Sequence, residues 1–309
     1  MERLRRLCSS AVWILAFEVV LLGGAWLGFR SISVERRTRV LTLLVRGVDR
    51  LLAPYRHRVA YQPVFRRLEL AAARGFGSGL DGPTDSGEAH ALSLYAERLS
   101  PIRSIVIVDG GAFEGEFTTA ALAAFRASRD LRVVAFEPAP PAFERLKKNF
   151  APDPRVVPVA AALGEKPGHA DLHIDPSPKM NSIVNRLGLE GGESVSVPVT
   201  TLDNYCHENS IDHIDLLKLD IEGYEFNALQ GTRDLLDARA VSIVQFEFGA
   251  FSAANRVLLS DIAGLLHDYD IFRIVGDGLV PASMAPEKVA PRSYLEPVTG
   301  GNYAAFLKP

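Results

Sequence analysis

The stretch Ser104 to Gly115, Ser-Ile-Val-Ile-Val-Asp-Gly-Gly-Ala-Phe-Glu-Gly, constrains the fold more than any other part of the chain. Ile105 to Val108 is a short β-branched run of the kind that forms a strand buried on both faces, and it stops at an acid and two glycines. Gly110 and Gly111 can adopt backbone angles closed to other residues and let a ligand approach the main chain, while Thr118 to Phe125 reads as a helix beyond Gly115. Strand, glycine loop and helix in that order open the nucleotide-binding α/β folds. The spacing is Gly-Gly-x-x-x-Gly, not the Gly-x-Gly-x-x-Gly that holds a dinucleotide pyrophosphate. Asp109 ends the strand facing the loop, and it suits a cationic or amine-bearing ligand better than a phosphate, because like charges at close range repel. S-adenosylmethionine is such a ligand, with Asp109, Gly110, Gly111, Ala112 and Gly115 as its expected loop contacts.

The rest of the chain divides by charge. At 309 residues and 48% apolar content it is long enough for one large α/β core with an extension. The net charge of -3 hides an asymmetry: 14 arginines against 5 acids make residues 1–74 about +9, which leaves about -12 for the remainder. Two cysteines, Cys8 and Cys206, match no metal spacing or disulfide framework, which favours a reducing compartment.

Residues 11–29 form an apolar stretch with one charge, Glu18, long enough to span a bilayer. Glu18 would cost roughly 2–3 kcal/mol at the midplane, and about ten strongly apolar residues at roughly 0.3–0.6 kcal/mol each offset it. The same stretch also fits a helix docked on a folded domain. No small-x-small cleavage site follows, which disfavours a secretory signal. From Ser33 to Arg74, two helix-length segments rich in arginine carry Val40, Leu43, Leu44, Val48, Leu51 and Leu52 on one face. They read as basic amphipathic helices suited to an anionic membrane surface, or as a solvated face. Positive charge is heavier after residue 29 than before residue 11, which puts the catalytic domain of an anchored chain in the cytoplasm, at the inner face of the membrane. No DNA-binding motif is present, so no nucleic-acid partner is expected. The expected organisation is a hydrophobic N-terminal helix (1–32), basic helices (33–74), a glycine-rich flexible linker (75–87) and a catalytic domain (88–309).

Within that domain, Val133 to Phe136 reads as the second strand and ends in Glu137, where an acid can accept both ribose hydroxyls of an adenosyl group. Val156 to Leu163 reads as a third strand whose small residues Ala161 and Ala162 suit a flat adenine ring. His169 to Asp175 and Ser194 to Thr200 read as extra strands. His169, Asp171 and His173 share one face at a spacing open to a metal, although a solvated face explains them as well. The second informative stretch is Ile214 to Glu225, Ile-Asp-Leu-Leu-Lys-Leu-Asp-Ile-Glu-Gly-Tyr-Glu. Strand alternation puts Lys218, Asp220 and Glu222 on one side, and such charges in a core strand are justified where they pair or meet a ligand. Phe226 to Leu236 reads as a helix and Val241 to Phe248 as a fifth strand with Glu247 near its end. Ile262 to Leu266 reads as a further helix, and Ile271 to Val275 and Tyr303 to Leu307 complete a seven-stranded sheet.

Four of these motifs occur together. Val108 to Gly115, Phe136-Glu137-Pro138, Thr201-Leu202-Asp203 and Asp215 to Glu225 resemble the FkbM-type S-adenosylmethionine-dependent methyltransferases over about residues 100–250. The family usually has Val or Ile at Gly110 and Asn at Phe113. The resemblance implies an α/β, Rossmann-like class I methyltransferase sheet with helices on both faces, and O-methylation of a hydroxyl on a sugar, glycolipid or secondary metabolite. In such a site Asp109 and the loop would hold the methionine end and Glu137 the ribose. Asp220 would be the base, with Lys218, Glu222 and Glu247 setting its charge environment, or a divalent metal on Asp220 and another acid would acidify the hydroxyl. A non-catalytic module of the same fold and a nicotinamide-dependent oxidoreductase are the competing readings; the missing Gly-x-Gly-x-x-Gly counts against the second.

Overall fold

The computed structural model describes residues 33–56, 58–65, 67–68, 87–99, 104–128, 130–175, 181–183, 193–282 and 301–309. The apolar stretch 11–29 and nearly all of the expected linker lie outside the described residues. The chain divides into two compact units, Met1–Glu69 and Leu70–Pro309.

In the first unit, α1 (Val34–Leu52) takes up the first of the two basic segments. Pro54 lacks the N–H that would extend the helical ladder, and the chain tightens into 3-10 turns at Ala53–Tyr55 and Val59–Tyr61. The second basic segment opens in these turns and is helical at 62–65 and 67–68. Among the described residues, no helix is long and apolar enough to cross a membrane.

The second unit runs α2 (Glu88–Leu99), β1 (Ser104–Gly110), α3 (Glu116–Ala124), β2 (Asp130–Phe136), α4 (Pro140–Phe150), β3 (Val156–Val159), β4 (Ala162–Leu163), β5 (Gly168–His173), β6 (Ser194–Thr200) and α5 (Leu202–Glu208). It continues with β7 (Ile214–Leu219), α6 (Glu225–Gln230), α7 (Arg233–Asp237), β8 (Val241–Phe248), α8 (Ala250–Ala254), α9 (Leu259–Leu265), β9 (Tyr269–Val275), β10 (Gly278–Pro281) and β11 (Gly301–Leu307). The main sheet has the order β10-β9-β11-β8-β7-β1-β2-β3. Strands β3, β2, β1, β7 and β8 are parallel, and β11 inserts antiparallel to both β8 and β9.

Register explains why both faces are covered. Val134, Val108, Leu217 and Val244 form one row across four strands, and Val133, Ile107, Leu216 and Ile243 form the row on the opposite face. The first row packs with Leu202, Cys206, Leu229 and Ile262 of α5, α6 and α9, and the second with Leu92, Tyr95, Ala121 and Leu146 of α2, α3 and α4. Each large side chain contributes roughly 1.5–3 kcal/mol on burial, enough for the sheet to carry charged groups at the carboxyl ends of its central strands. Strand order reverses between β1 and β7, so a crevice opens there above those ends.

All seven strands expected for the main sheet are present, and β10 adds an eighth as a hairpin edge to β9. Two expectations are corrected. Residues 156–163 do not form one strand: β3 ends at Val159, and Ala162–Leu163 leaves to pair with β6 in a second, three-stranded sheet of order β4-β6-β5. Pro158 is tolerated in β3 because that strand is an edge. The helix expected over 226–236 is broken into α6 and α7 at Gly231, where a Cβ would lie 2.0 Å from the Gly164 carbonyl oxygen. The extra strands expected at 169–175 and 194–200 are present as β5 and β6.

Candidate active site

The crevice at the β1/β7 reversal, counted together with the open solvent at its mouth, spans about 590 Å³. Gly111, Glu137, Ala161, Ala162, Asp220 and Glu222 all line it, so the carboxyl ends of β1, β2 and β7 and the start of β4 converge on one space. Phe113, Leu172, Asn181, Ile183 and Tyr224 complete its walls and were not among the expected contacts. Sequence pattern could not supply Leu172, Asn181 or Ile183, since they reach the crevice through the second sheet and its flanking segment. Tyr224 was legible in principle, being in the same motif as Glu222.

The glycine loop is shaped by the protein around it. Gly110 N–H and C=O continue the sheet, Gly111 and Ala112 N–H both donate to the Phe136 carbonyl at 3.0 and 2.9 Å, and Asp220 N–H donates to the Gly110 carbonyl at 3.1 Å. Gly111 has φ +78°, and a Cβ there would sit 2.0 Å from the Asp220 carbonyl oxygen. The glycine is thus required first for close approach of loop to strand end, not for approach of a ligand. Gly115, at φ +93°, would drive a Cβ into the Phe150 ring at 2.1 Å. Ala112 is buried beneath the loop.

Asp109 is fully buried and does not line the crevice. Its Oδ2 accepts a hydrogen bond from Thr118 Oγ1 at 2.7 Å, and its Oδ1 lies 3.3 Å from Lys218 Nζ, an ion-pair contact, not a well-directed hydrogen bond. Lys218 Nζ also lies 3.5 Å from Asp220 Oδ2 and donates to the Gly111 carbonyl at 3.4 Å. Burial opposes the charge on Lys218, yet the carboxylates of Asp220, Asp109 and Glu88 together hold its ammonium above the ordinary lysine range. Lys218 is therefore a fixed cation linking the acid beneath the loop to the acid in the crevice.

Glu137 is held at the crevice wall by two backbone donors. Phe113 N–H donates to Oε2 and Ala139 N–H donates to Oε1, each at 2.8 Å. A carboxylate has about four acceptor sites, so half of its capacity remains for a ligand. Burial raises its pKa, and the two backbone donors act against that rise. Phe113 takes φ +50°, a left-handed conformation unfavourable for a bulky side chain. Its hydrogen bond to Glu137 and its packing against Ala139, Ala142 and Leu172 offset that cost. Asn, usual at this position in the resembling family, enters the left-handed region more readily.

The motif at 214–225 divides into two jobs. Asp215 accepts from Val106 N–H at 2.8 Å, tying β7 to β1, and Glu225 accepts from Ile221 and Gly223 N–H at 3.0 and 3.2 Å, clamping the turn after β7. Thr201 and Asp203 are also structural: Thr201 caps α5 through Asn204 N–H, and Asp203 accepts from Asp234 and Leu235 N–H at the start of α7. Asp220 and Glu222 are left in the crevice. They do not share a strand face, because β7 ends at Leu219; Glu222 lies in a turn at φ +56° held by Ser182 Oγ, which donates to its carbonyl at 2.7 Å. That turn brings Asp220, Glu222 and Glu247 together, each offering an oxygen within 4.8 Å of the others, and among the described residues they form the sole group able to hold a metal ion. His169, Asp171 and His173 form no such group.

Burial, then the charges of Asp220, Glu225 and Glu222 and a hydrogen bond with Asp220, push Glu247 up to about 10. Burial also raises Glu225 to about 7, against its backbone donors. At neutral pH Glu247 thus carries a proton in the folded chain that the unfolded chain releases near 4.5. The folded state binds the extra proton, so this stabilisation is complete below pH 4.5 and is lost as pH rises toward 10. Above pH 7 Glu225 no longer contributes to that slope. In a chelator-treated sample, Glu247→Gln should flatten the fall in melting temperature between pH 7 and 9; an unchanged slope would mean Glu247 is ionised in the fold.

The parallel sheet with an inserted antiparallel strand and the crevice at its reversal define a Rossmann-like α/β protein of the class I methyltransferase type. The family model for the methyltransferase FkbM domain matches residues 109–271, more than half of the chain, and the chain belongs to that family. It is 28% identical over 135 residues to the hexuronic acid methyltransferase AglP of Haloferax volcanii, covering 43% of this chain and 55% of AglP. It is 26% identical over 178 residues to the 2-O-methyltransferase NoeI of Sinorhizobium fredii, covering 53% of this chain and 70% of NoeI. The solved structure of an FkbM methyltransferase from Methylobacillus flagellatus covers 77% of this chain and 58% of its own, with 17% identity and a TM-score of 0.40. The chain thus spans little more than half the length of AglP.

Proposed function

We propose that this chain is an S-adenosylmethionine-dependent O-methyltransferase acting on a sugar hydroxyl, with residues 88–309 as the catalytic domain. The observation that carries this reading is the pairing, in one crevice, of Glu137, anchored by two backbone N–H groups, with Asp220 beyond the next-but-one strand end. Family membership and the activities named for AglP and NoeI support it.

Glu137 would accept the two ribose hydroxyls through its remaining lone pairs, and Ala161 and Ala162 would leave a flat wall for the adenine. Asp109 would act from beneath the loop, through Lys218 and Thr118, as a positioning residue. S-adenosylmethionine held there would supply an electrophilic methyl group with a thioether as its leaving group. Asp220 would accept the hydroxyl proton in that displacement, and Lys218 would orient its carboxylate. Glu247, kept protonated, would donate to Asp220 and relieve the repulsion among three clustered carboxyls. A second reading rests on the same oxygens within 4.8 Å: Asp220, Glu222 and Glu247 would hold a divalent cation in place of the Glu247 proton, and its charge would favour loss of the hydroxyl proton. Cytosolic synthesis of the cofactor supports a cytoplasmic catalytic unit.

Calorimetry with S-adenosylmethionine and with NAD⁺ tests the reading. Binding of the first alone is expected; binding of NAD⁺ alone would make the chain a dehydrogenase, and binding of neither would leave a non-catalytic module.

A further inference from the structure

We propose that α1 is an interfacial helix that lays its apolar face on an anionic lipid surface. On a wheel of about 100° per residue, Val40, Leu51, Leu44, Val48, Leu41 and Val45 fill an arc of about 140°. All six are exposed, from 36% at Val48 to 71% at Leu51, so this face is not spent on the protein's own core. Contiguous exposed apolar surface of this kind marks an interaction site. Arg36, Arg39, Arg46 and Arg50 are exposed and occupy the complementary arc together with Leu43, while Arg37, in the first turn, falls within the apolar arc.

The charges decide the occupant. The two acids of α1 are already engaged: Glu35 pairs with Arg39 and Asp49 with Arg56. Arg36, Arg46 and Arg50 pair with no acid among the described residues. Two copies packed face to face would set these unmatched arginine rows beside one another, which is repulsive. An anionic bilayer matches both arcs at once, since leucine and valine enter the acyl boundary while arginine stems snorkel to the phosphates. The remainder of the chain, at about -12, is repelled by the same surface. Adhesion therefore falls to the basic segment. Both its arcs are needed, and each can be removed without changing a residue that lines the crevice.

Full-length protein is sedimented with vesicles of phosphatidylcholine alone and of phosphatidylcholine carrying one quarter phosphatidylglycerol. At about fivefold per arginine, partitioning into the anionic vesicles should exceed that into the neutral ones by about 100-fold and fall steeply with salt. Arg36→Glu with Arg46→Glu and Arg50→Glu should erase the preference, and Leu44→Asp with Val48→Asp should remove it as well, with calorimetric cofactor binding intact as the check on folding. Equal binding to both vesicles, no binding, or a preference that survives either variant would overturn the proposal. So would a dimer in solution that the Leu44→Asp and Val48→Asp chain fails to form, which would make a second copy the occupant of this face.

Discussion

Asp220→Asn should lower methyl-transfer turnover by roughly 10²- to 10⁴-fold while leaving affinity for S-adenosylhomocysteine within a few fold. The substitution keeps the shape of the side chain and removes its basicity. It also removes one of the two carboxylates within 3.5 Å of Lys218 Nζ, but the contact of that ammonium with Asp109 at 3.3 Å is retained, so the strand end stays in position. Turnover is read as the gain of one methylene mass on glycans from cells expressing either form, and affinity by calorimetry. A folded variant that loses cofactor affinity would move Asp220 into the cofactor site and send the search for a base to Glu222 or Glu247. Near wild-type turnover would exclude it from both roles. A chelator separates the two versions of the mechanism: EDTA leaves a carboxylate base untouched and abolishes activity where the cluster of Asp220, Glu222 and Glu247 holds a cation.

Glu137→Ala should weaken S-adenosylmethionine binding by roughly 2–4 kcal/mol, about 30- to 1,000-fold in dissociation constant. Two losses combine. The ribose hydroxyls lose a charged acceptor, and the Phe113 and Ala139 N–H groups, each donating to Glu137 at 2.8 Å, lose their partner. The second loss acts on the loop that shapes the crevice, because Phe113 already sits in an unfavourable left-handed conformation at φ +50°. Glu137→Gln distinguishes the contributions. It keeps the side-chain volume and one carbonyl acceptor but sets its NH2 against one of the two backbone donors, so the melting temperature should fall part of the way toward that of Glu137→Ala while affinity drops about tenfold. Unchanged calorimetric affinity in a folded Glu137→Ala protein would remove this residue from the cofactor site.

The fold was legible because its signals are local. A β-branched run ending in Asp109-Gly110-Gly111 can be read as a strand and a turn without knowing what surrounds it, and the same holds for Val133 to Glu137 and Val241 to Phe248. Strand number and helix continuity were less so. β10 is short and half exposed, which leaves little hydrophobic pattern. The break at Gly231 follows from the Gly164 carbonyl, 67 residues away in sequence, and no local pattern encodes it.

For the site, the residue types were determined by the sequence and their jobs by the tertiary structure. Acids at the ends of β1, β2, β7 and β8 mark the carboxyl edge of a parallel sheet, and charge in such apolar strands signals a pair or a ligand whatever the details. Which of the two applies depends on the groups brought within about 4 Å, where Coulomb energies become large, and that is a matter of packing between strands far apart in the chain. Asp109 was read as a ligand contact, and packing commits it to Thr118 and Lys218 below the loop. Asp220 and Glu222 were read as neighbours on one strand face; the chain instead turns after Leu219, and the turn, clamped by Glu225 and Ser182, gathers them with Glu247. The walls formed by Leu172, Asn181 and Ile183 depend on a second sheet whose placement against the first no sequence pattern specifies. Sequence periodicity reports which side chains leave water, but the partner each one meets is set by long-range contacts that only the folded chain makes.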